Sequence, residues 1–318
     1  MSRNDTLKQH GVWSARGIRH LATTAIFSAG SLLPVAAGAA DLVVQDGDVQ
    51  VNNAPASYDS AFVSGTNAVT GSPSTYTANA PLTLTAGFSS YLSVTDSGVF
   101  NANANITAEY GSVQVSNGGQ LNLLSGTLSA WTIGLDGPSA VSQTGGAYAT
   151  VTGLTLSNGA TLDYTAADSI GTGANVTVST GARLSLGTTL AMTDYASQII
   201  LSGSGALATQ GNAYQTSYLT LSDGATLALG GGSEIRDYLT INYGSQLGLQ
   251  KNLVMQPYST MQVSGSTALV TNGYSISTAN LQLSGGADVT LGSGDSVTDS
   301  VDVGPASTLR LDSDLSLT

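Results

Sequence analysis

The sequence predicts an all-β chain wound as a right-handed, single-stranded parallel β-helix with about 20–23 residues per coil. Three observations carry this. The stretch LTLSDGATLAL at 219–229 returns as VQVSNGGQLNL from Val113, LTLSNGATLDY from Leu154, VTVSTGARLSL from Val176, LTINYGSQLGL from Leu239 and LQLSGGADVTL from Leu281. Within each copy apolar and polar residues alternate, as in a strand with one buried face. A glycine stands five positions after the first apolar residue of each copy, at Gly118, Gly159, Gly181, Gly224, Gly244 and Gly286.

Each copy is two strands around a tight turn. At 219–229, Leu219 and Leu221 flank Thr220, while Ala225, Leu227 and Leu229 alternate with Thr226 and Ala228. Between the runs, Ser222 and Asp223 can bond their own backbone, and Gly224 accepts positive φ. Copies start 22 residues apart from Leu154 to Val176, 23 from Val176 to Ile199 and 20 from Ile199 to Leu219. The later steps, through Leu239, Met261, Leu281 and Val301, are 20 to 22 residues. An apolar spacing of two rules out helix. Antiparallel hairpins would repeat differently in alternate strands, whereas every copy here runs in one sense with one turn. Such repeats stack like on like, one strand layer per repeat. The connecting segments predict a shorter third side, with Ile235, Leu190, Met192, Leu253, Met255, Ile276 and Val297 facing inward.

Residues 1–40 read as a secretory signal peptide. Arg3, Lys8, Arg16 and Arg19 form a basic start, 21–35 an apolar stretch, and AAGAA at 36–40 a small-residue site for cleavage after Ala39 or Ala40. Thr23, Thr24, Ser28, Ser31 and Pro34 make the stretch too polar for a membrane anchor, which needs ~20 apolar residues. Cleavage removes both histidines, His10 and His20, and four of the eight Lys+Arg. The mature chain then holds four cations against 19 Asp+Glu, a net −15, compared with −12 for the whole chain. There is no cysteine, so an exported chain of this length relies on a long stacked core in place of disulfides.

Residues 41–81 are expected to form an N-terminal cap or irregular β segment. DLVVQDGDVQV at 41–51 reads as a first strand pair around a turn, and 52–80 is polar with scattered apolar residues. The β-helix proper is placed at 82–318, with regular coils beginning near Leu82 and Leu92. The gap of 41 residues between Val113 and Leu154 hides one further copy, at 133–141, with Trp131 just before it. The 278 residues after the leader make about 13 coils, a rod roughly 60 Å long at ~4.8 Å per layer. Residues 301–318 begin another coil with no cap over its strand edges, so the chain is expected to be truncated at its C-terminal end.

Absences bound the chemistry. A mature chain without His or Cys has no Ser-His-Asp or Cys-His machinery and no His/Cys zinc site. Gly294-Asp295-Ser296-Val297 looks like the nucleophile block of one lipase family, but that family's base is a histidine. No catalytic residue, cofactor or metal is therefore assigned. Paired carboxylates remain available for glycan cleavage: Asp299 with Asp302, Asp312 with Asp314, and Glu234 with Asp237 beside Arg236. The blander account of the last group is a solvated loop with a local ion pair. A calcium repeat is only hinted at in 292–295. Nucleic acid is excluded by the charge. Tyr218 and Tyr238 hold the same repeat position, point outward and should stack one coil apart. They are either a cross-strand aromatic pair that steadies neighbouring coils or a platform for sugar or peptide ligands.

SNGATLDY, STGARLSLG, SDGATLALGGG and SGGADVTLGSG resemble the repeats of autotransporter passenger domains, the type V secreted surface proteins of Gram-negative bacteria. The resemblance covers about 82–318 and the signal peptide. It implies a β-helical passenger carried through the outer membrane by a C-terminal barrel that is not in this sequence. The chain also lacks the asparagine-rich secretion motif of the related two-partner route. The resemblance further implies a cell-surface or extracellular adhesin, or a self-association or biofilm factor. Its partners would be glycans or proteins of host or neighbouring cells, or other copies of itself. The alternatives are a carboxylate-dependent polysaccharide lyase or glycoside hydrolase built on a β-helix, or a non-catalytic stalk for a missing head.

Overall fold

Apolar residues at every second position can bury one strand face only if another layer covers it, and identical repeats cover one another. The computed structural model describes residues 41–58, 60–64, 73–85, 90–138, 140–143, 146–149, 151–192, 194–265 and 269–312. The chain divides into two units, Met1–Ala37 and Gly38–Thr318, and the described residues all belong to the second. The proposed signal peptide at 1–40 lies outside them.

The second unit is a parallel β-solenoid. One ladder runs through it without a break: Leu42, Ala61, Leu92, Val113, Ile133, Leu154, Val176, Ile199, Leu219, Leu239, Met261, Leu281 and Val301. Every copy named from the sequence sits on its own layer, including the hidden one at Ile133. Twelve of these side chains are at most 5 % exposed, and Val301, on the last described rung, is half-buried. Twelve steps of ~4.8 Å give a stacked length of about 58 Å.

One coil shows how the sequence closes the ring. Tyr214–Ser222 ends on the first side with Leu219 and Leu221 inward. Thr226–Leu229 forms the second side with Leu227 and Leu229 inward. Glu234–Ile241 supplies the third side with Ile235 inward, then runs on into the next first side. The expected third-side residues Leu190, Met192, Leu253, Met255, Ile276 and Val297 are likewise buried. This side is not a separate loop. Third and first sides share an 18-stranded sheet, because the strand bends at a register shift, as between Thr216 and Tyr218 or Ala130 and Thr132.

The turn between first and second sides is tighter than one glycine requires. Gly159 and Gly224 have φ of 86°, and the residues before them, Asn158 and Asp223, are also positive at 52° and 54°. Ala160 N–H and Ala225 N–H donate back to the Ser157 and Ser222 carbonyls at 3.0 and 3.1 Å. Two positive φ values closed by that bond make a type I′ turn, which suits the Asn-Gly and Asp-Gly pairs found there.

Residues 41–81 contribute to the same ladders. Leu42–Gln45 pairs with Ala61–Ser64, Ala56–Tyr58 with Leu82–Leu84, and Thr75–Ala78 with Val99–Ala102. An asparagine ladder ties these coils together: Asn79 Nδ2 donates to Asn53 Oδ1 at 2.8 Å, and Asn103 Nδ2 to Asn79 Oδ1 at 2.8 Å. Among the described residues, stacked coils therefore begin at Leu42.

The core is apolar, and its corners are capped by buried polar side chains. Asp168 accepts from Tyr148 N–H at 3.0 Å, from Thr165 N–H at 2.7 Å and from Thr165 Oγ1 at 2.8 Å. Asp295 does the same job, accepting from Ile276 N–H and Gly292 N–H at 2.6 Å each. Ser233 Oγ accepts from Tyr214 N–H at 3.2 Å. At the next corner Ser197 Oγ lies 2.7 and 2.8 Å from the Asp194 and Met192 carbonyls and accepts Ser217 N–H at 3.0 Å. At each of these bends a main-chain N–H is met by a short polar side chain from the same or an adjacent coil.

Candidate functional site

Because the ladder is continuous, outward residues also stack into columns. One column precedes the first inward residue of each coil. It reads Tyr91, Ser112, Thr132, Gly153, Asn175, Gln198, Tyr218, Tyr238, Thr260, Asn280 and Ser300. Its neighbour, two positions on, includes Gln114, Gly134, Thr155 and Thr177. The residues named carry no charge, and all but Gly134 and Gly153 bring a hydrogen-bonding side chain.

Tyr218 and Tyr238 meet as the sequence places them. Their ring centroids are 5.4 Å apart and the planes differ by 6°. Tyr238 is 45 % exposed and Tyr218 half-buried. In-register pairing forces this contact, because adjacent strands stand ~4.8 Å apart. Replacing both by alanine is expected to lower stability by about 0.2–1 kcal/mol, measured by denaturant unfolding. If cell or glycan attachment is unchanged in the same variant, the stack is a stability feature and no ligand platform.

Toward the other end of the same column the surface dips. A concavity of about 410 Å³ is lined by Tyr91, Ser112, Gln114, Thr132, Thr155 and Ser157, with Gly134 and Gly153 among its floor residues. Two glycines stand where neighbouring coils carry Gln, Thr or Asn; the Gln114 amide folds over Gly134, and the Thr132 side chain stands beside Gly153. Thr132 Oγ1 donates to Ser112 Oγ at 2.8 Å. Burial raises the Tyr91 phenol pKa above its ordinary value. At the corner just before Thr132, Trp131 (43 % exposed) lies 6.5 Å from Tyr110 (45 % exposed), ring centre to ring centre. Sequence reading picked out Trp131 but not the dip. The available signal was the pair of outward glycines in adjacent repeats.

Among the described residues, the carboxylates considered for catalysis lie on the surface of the coils. Glu234 Oε1 is 3.4 Å from Arg236 Nε, a local ion pair. Asp299 and Asp302 are exposed on the last described rung, Asp312 is exposed, and Asp314 lies outside the described residues. In the lipase-like block, Asp295 caps a corner and Ser296 Oγ donates to Ser277 Oγ at 2.9 Å. Among the described residues no group of three or more His, Cys, Asp or Glu could hold a metal ion. Compared with protein-family models, curated proteins and solved structures, the chain matches none of them.

Proposed function

We propose that this chain is a passenger-type rod, exported by its N-terminal segment and displayed at or released from a Gram-negative cell surface. There it acts in adhesion or self-association. The observation that carries this reading is the outward column from Tyr91 to Ser300, uncharged on eleven successive layers and carrying a hydrogen-bonding side chain on ten of them, all but Gly153. Weak contacts repeated along a stiff rod add up, since each after the first forms at high effective concentration. A solenoid supplies the stiffness without disulfides or metal. Partners are glycans or proteins of host or neighbouring cells, or further copies of the rod.

The test expresses the full chain in a Gram-negative host. The processed N-terminus and cell attachment or aggregation are then measured. The expected result is a chain beginning at Ala40 or Asp41 outside the cytoplasm that promotes attachment or clumping. A chain that stays in the cytoplasm with Met1 intact would remove the export reading. An exported chain that changes neither attachment nor aggregation would remove the adhesion reading.

A further inference from the structure

We infer that the concavity on the first side is a binding site for a neutral glycan, an inference that rests on the adhesion reading and names its ligand class. Three features point there. First, the dip of about 410 Å³ falls within the size range of small-ligand sites. Second, its lining offers donors and acceptors without a charge: Gln114 contributes an amide, and Ser112, Thr132, Thr155 and Ser157 contribute hydroxyls. Third, aromatic residues belong to its lining or precede lining residues by one or two positions. Tyr91 forms part of the wall, and Trp131 and Tyr110 pair at the corner from which Thr132 and Ser112 enter it. Rings of this kind combine an apolar face with a polar tip. Sugars combine an apolar ring face with a fringe of hydroxyls, so the two match in both respects.

Charge selects among glycans. The chain carries −12 overall, and none of the lining residues is Lys or Arg. Acidic sugars would be repelled by the field of the rod and would meet no cation in the site. A cationic ligand would need a carboxylate, and the lining has none. An extended peptide joining the sheet needs a free strand edge. The floor strands are already paired on both sides, Val113 with Ile133 and Ile133 with Leu154. A neutral oligosaccharide lying across the Gln114 amide and Gly153, with its hydroxyls on the flanking side chains, is the occupant that fits.

The molecule contains its own reporter. The chain has two tryptophans, Trp13 and Trp131, so export and cleavage of 1–40 leave Trp131 as the only one. The exported chain is titrated with neutral gluco-, galacto- and N-acetylhexosamine oligomers and with uronic-acid oligomers. Trp131 emission and calorimetry are followed together. Gly134→Thr and Gly153→Asn place in the dip the side chains that the next coil already carries at those positions, Thr155 and Asn175. A Cβ at Gly134 would meet only the movable end of Gln114, and one at Gly153 the Thr132 side chain, so both variants are expected to fold. Trp131→Ala is read by calorimetry alone.

The expected result is saturable binding of at least one neutral series. It should weaken at least tenfold in the filled-dip variants and in Trp131→Ala, with melting temperatures retained. Three outcomes overturn the inference: no neutral oligomer binding at millimolar concentration, preference for the uronic-acid series, or equal binding in the filled-dip variants. Cell attachment measured on the same variants separates this inference from the broader reading. Attachment that persists when the dip is filled leaves the rod an adhesin whose contacts lie elsewhere.

Discussion

Removing residues 219–238 should leave a protein that still folds, whereas removing residues 219–228 should not. The longer deletion joins Tyr218 to Leu239. Leu239, Ile241, Gly244, Leu247 and Leu249 then fill the places of Leu219, Leu221, Gly224, Leu227 and Leu229, which are their ladder or turn equivalents. One layer is lost and every neighbour finds the same kind of face. In a solenoid, stability is a sum of coil and interface contributions, so one interior coil is dispensable. The melting temperature should change by no more than about 5 °C, a shift of one or two kcal/mol. The shorter deletion moves the chain by ten positions. Gly231 takes the place of Leu221, Glu234 enters the positive-φ turn position of Gly224, and Asp237 replaces the inward Leu227. A buried carboxylate without partners costs several kcal/mol, and glutamate resists that turn. Loss of the cooperative melt and protease cleavage near residue 230 are the expected readouts. Similar melts for the two deletions would mean that the stacked-coil register has been misassigned.

Asp168→Ala should be the most damaging single change away from the apolar core. Its carboxylate, 7 % exposed, accepts one hydrogen bond from the neighbouring coil at Tyr148 N–H and two within its own turn at Thr165. Alanine leaves these donors without that acceptor. The main-chain N–H of Tyr148 sits where the strand turns, and a buried donor left unpaired costs about 1–3 kcal/mol, with more lost because the acceptor is a carboxylate. A total near 3 kcal/mol corresponds to a fall of roughly 6–12 °C in melting temperature. Asp168→Asn should recover part of this, since its amide oxygen can still accept while its NH2 cannot. Asp295→Ala, which removes acceptors from Ile276 and Gly292, should cost less because Asp295 is only half-buried whereas Asp168 is buried. A melting temperature for Asp168→Ala within 2 °C of the parent protein, ~1 kcal/mol or less, would show that the corner cap is redundant.

The contrast between two glycine-containing patterns shows how far reading went. Gly224 stood out because it recurs at a fixed place in a turn, and its neighbour Asp223 is a residue type that tolerates positive φ. The turn was foreseen, though not that both residues would be left-handed. At 242–244, Tyr243 does not take positive φ while Gly244 does, at 79°, so this copy makes a turn of a different type at the same corner. Gly134 and Gly153, by contrast, lie inside strands. Only when the coils are stacked do they fall on adjacent layers and line the same dip.

The N-terminal segment teaches the same lesson from the core side. Ala56, Ala61 and Ala78 hold inward or core-packed positions there, but alanine barely stands out from a polar background, so 41–81 read as a cap or irregular segment. The Asn53, Asn79 and Asn103 ladder could not be read either, because its members are separated by 26 and 24 residues and gain meaning only from register.

By itself the sequence determined the strand period, the turn position and the repeat length of about 20 residues, and these suffice to make like residues stack. Local alternation and glycine placement are properties of neighbouring residues, so they can be read along the chain. Which outward side chains share a column, which carboxylate caps a bend and where the surface dips were decided only in the folded rod. Those relations join residues one or more coils apart, and a shift of a single position in register would have sent each to a different neighbour.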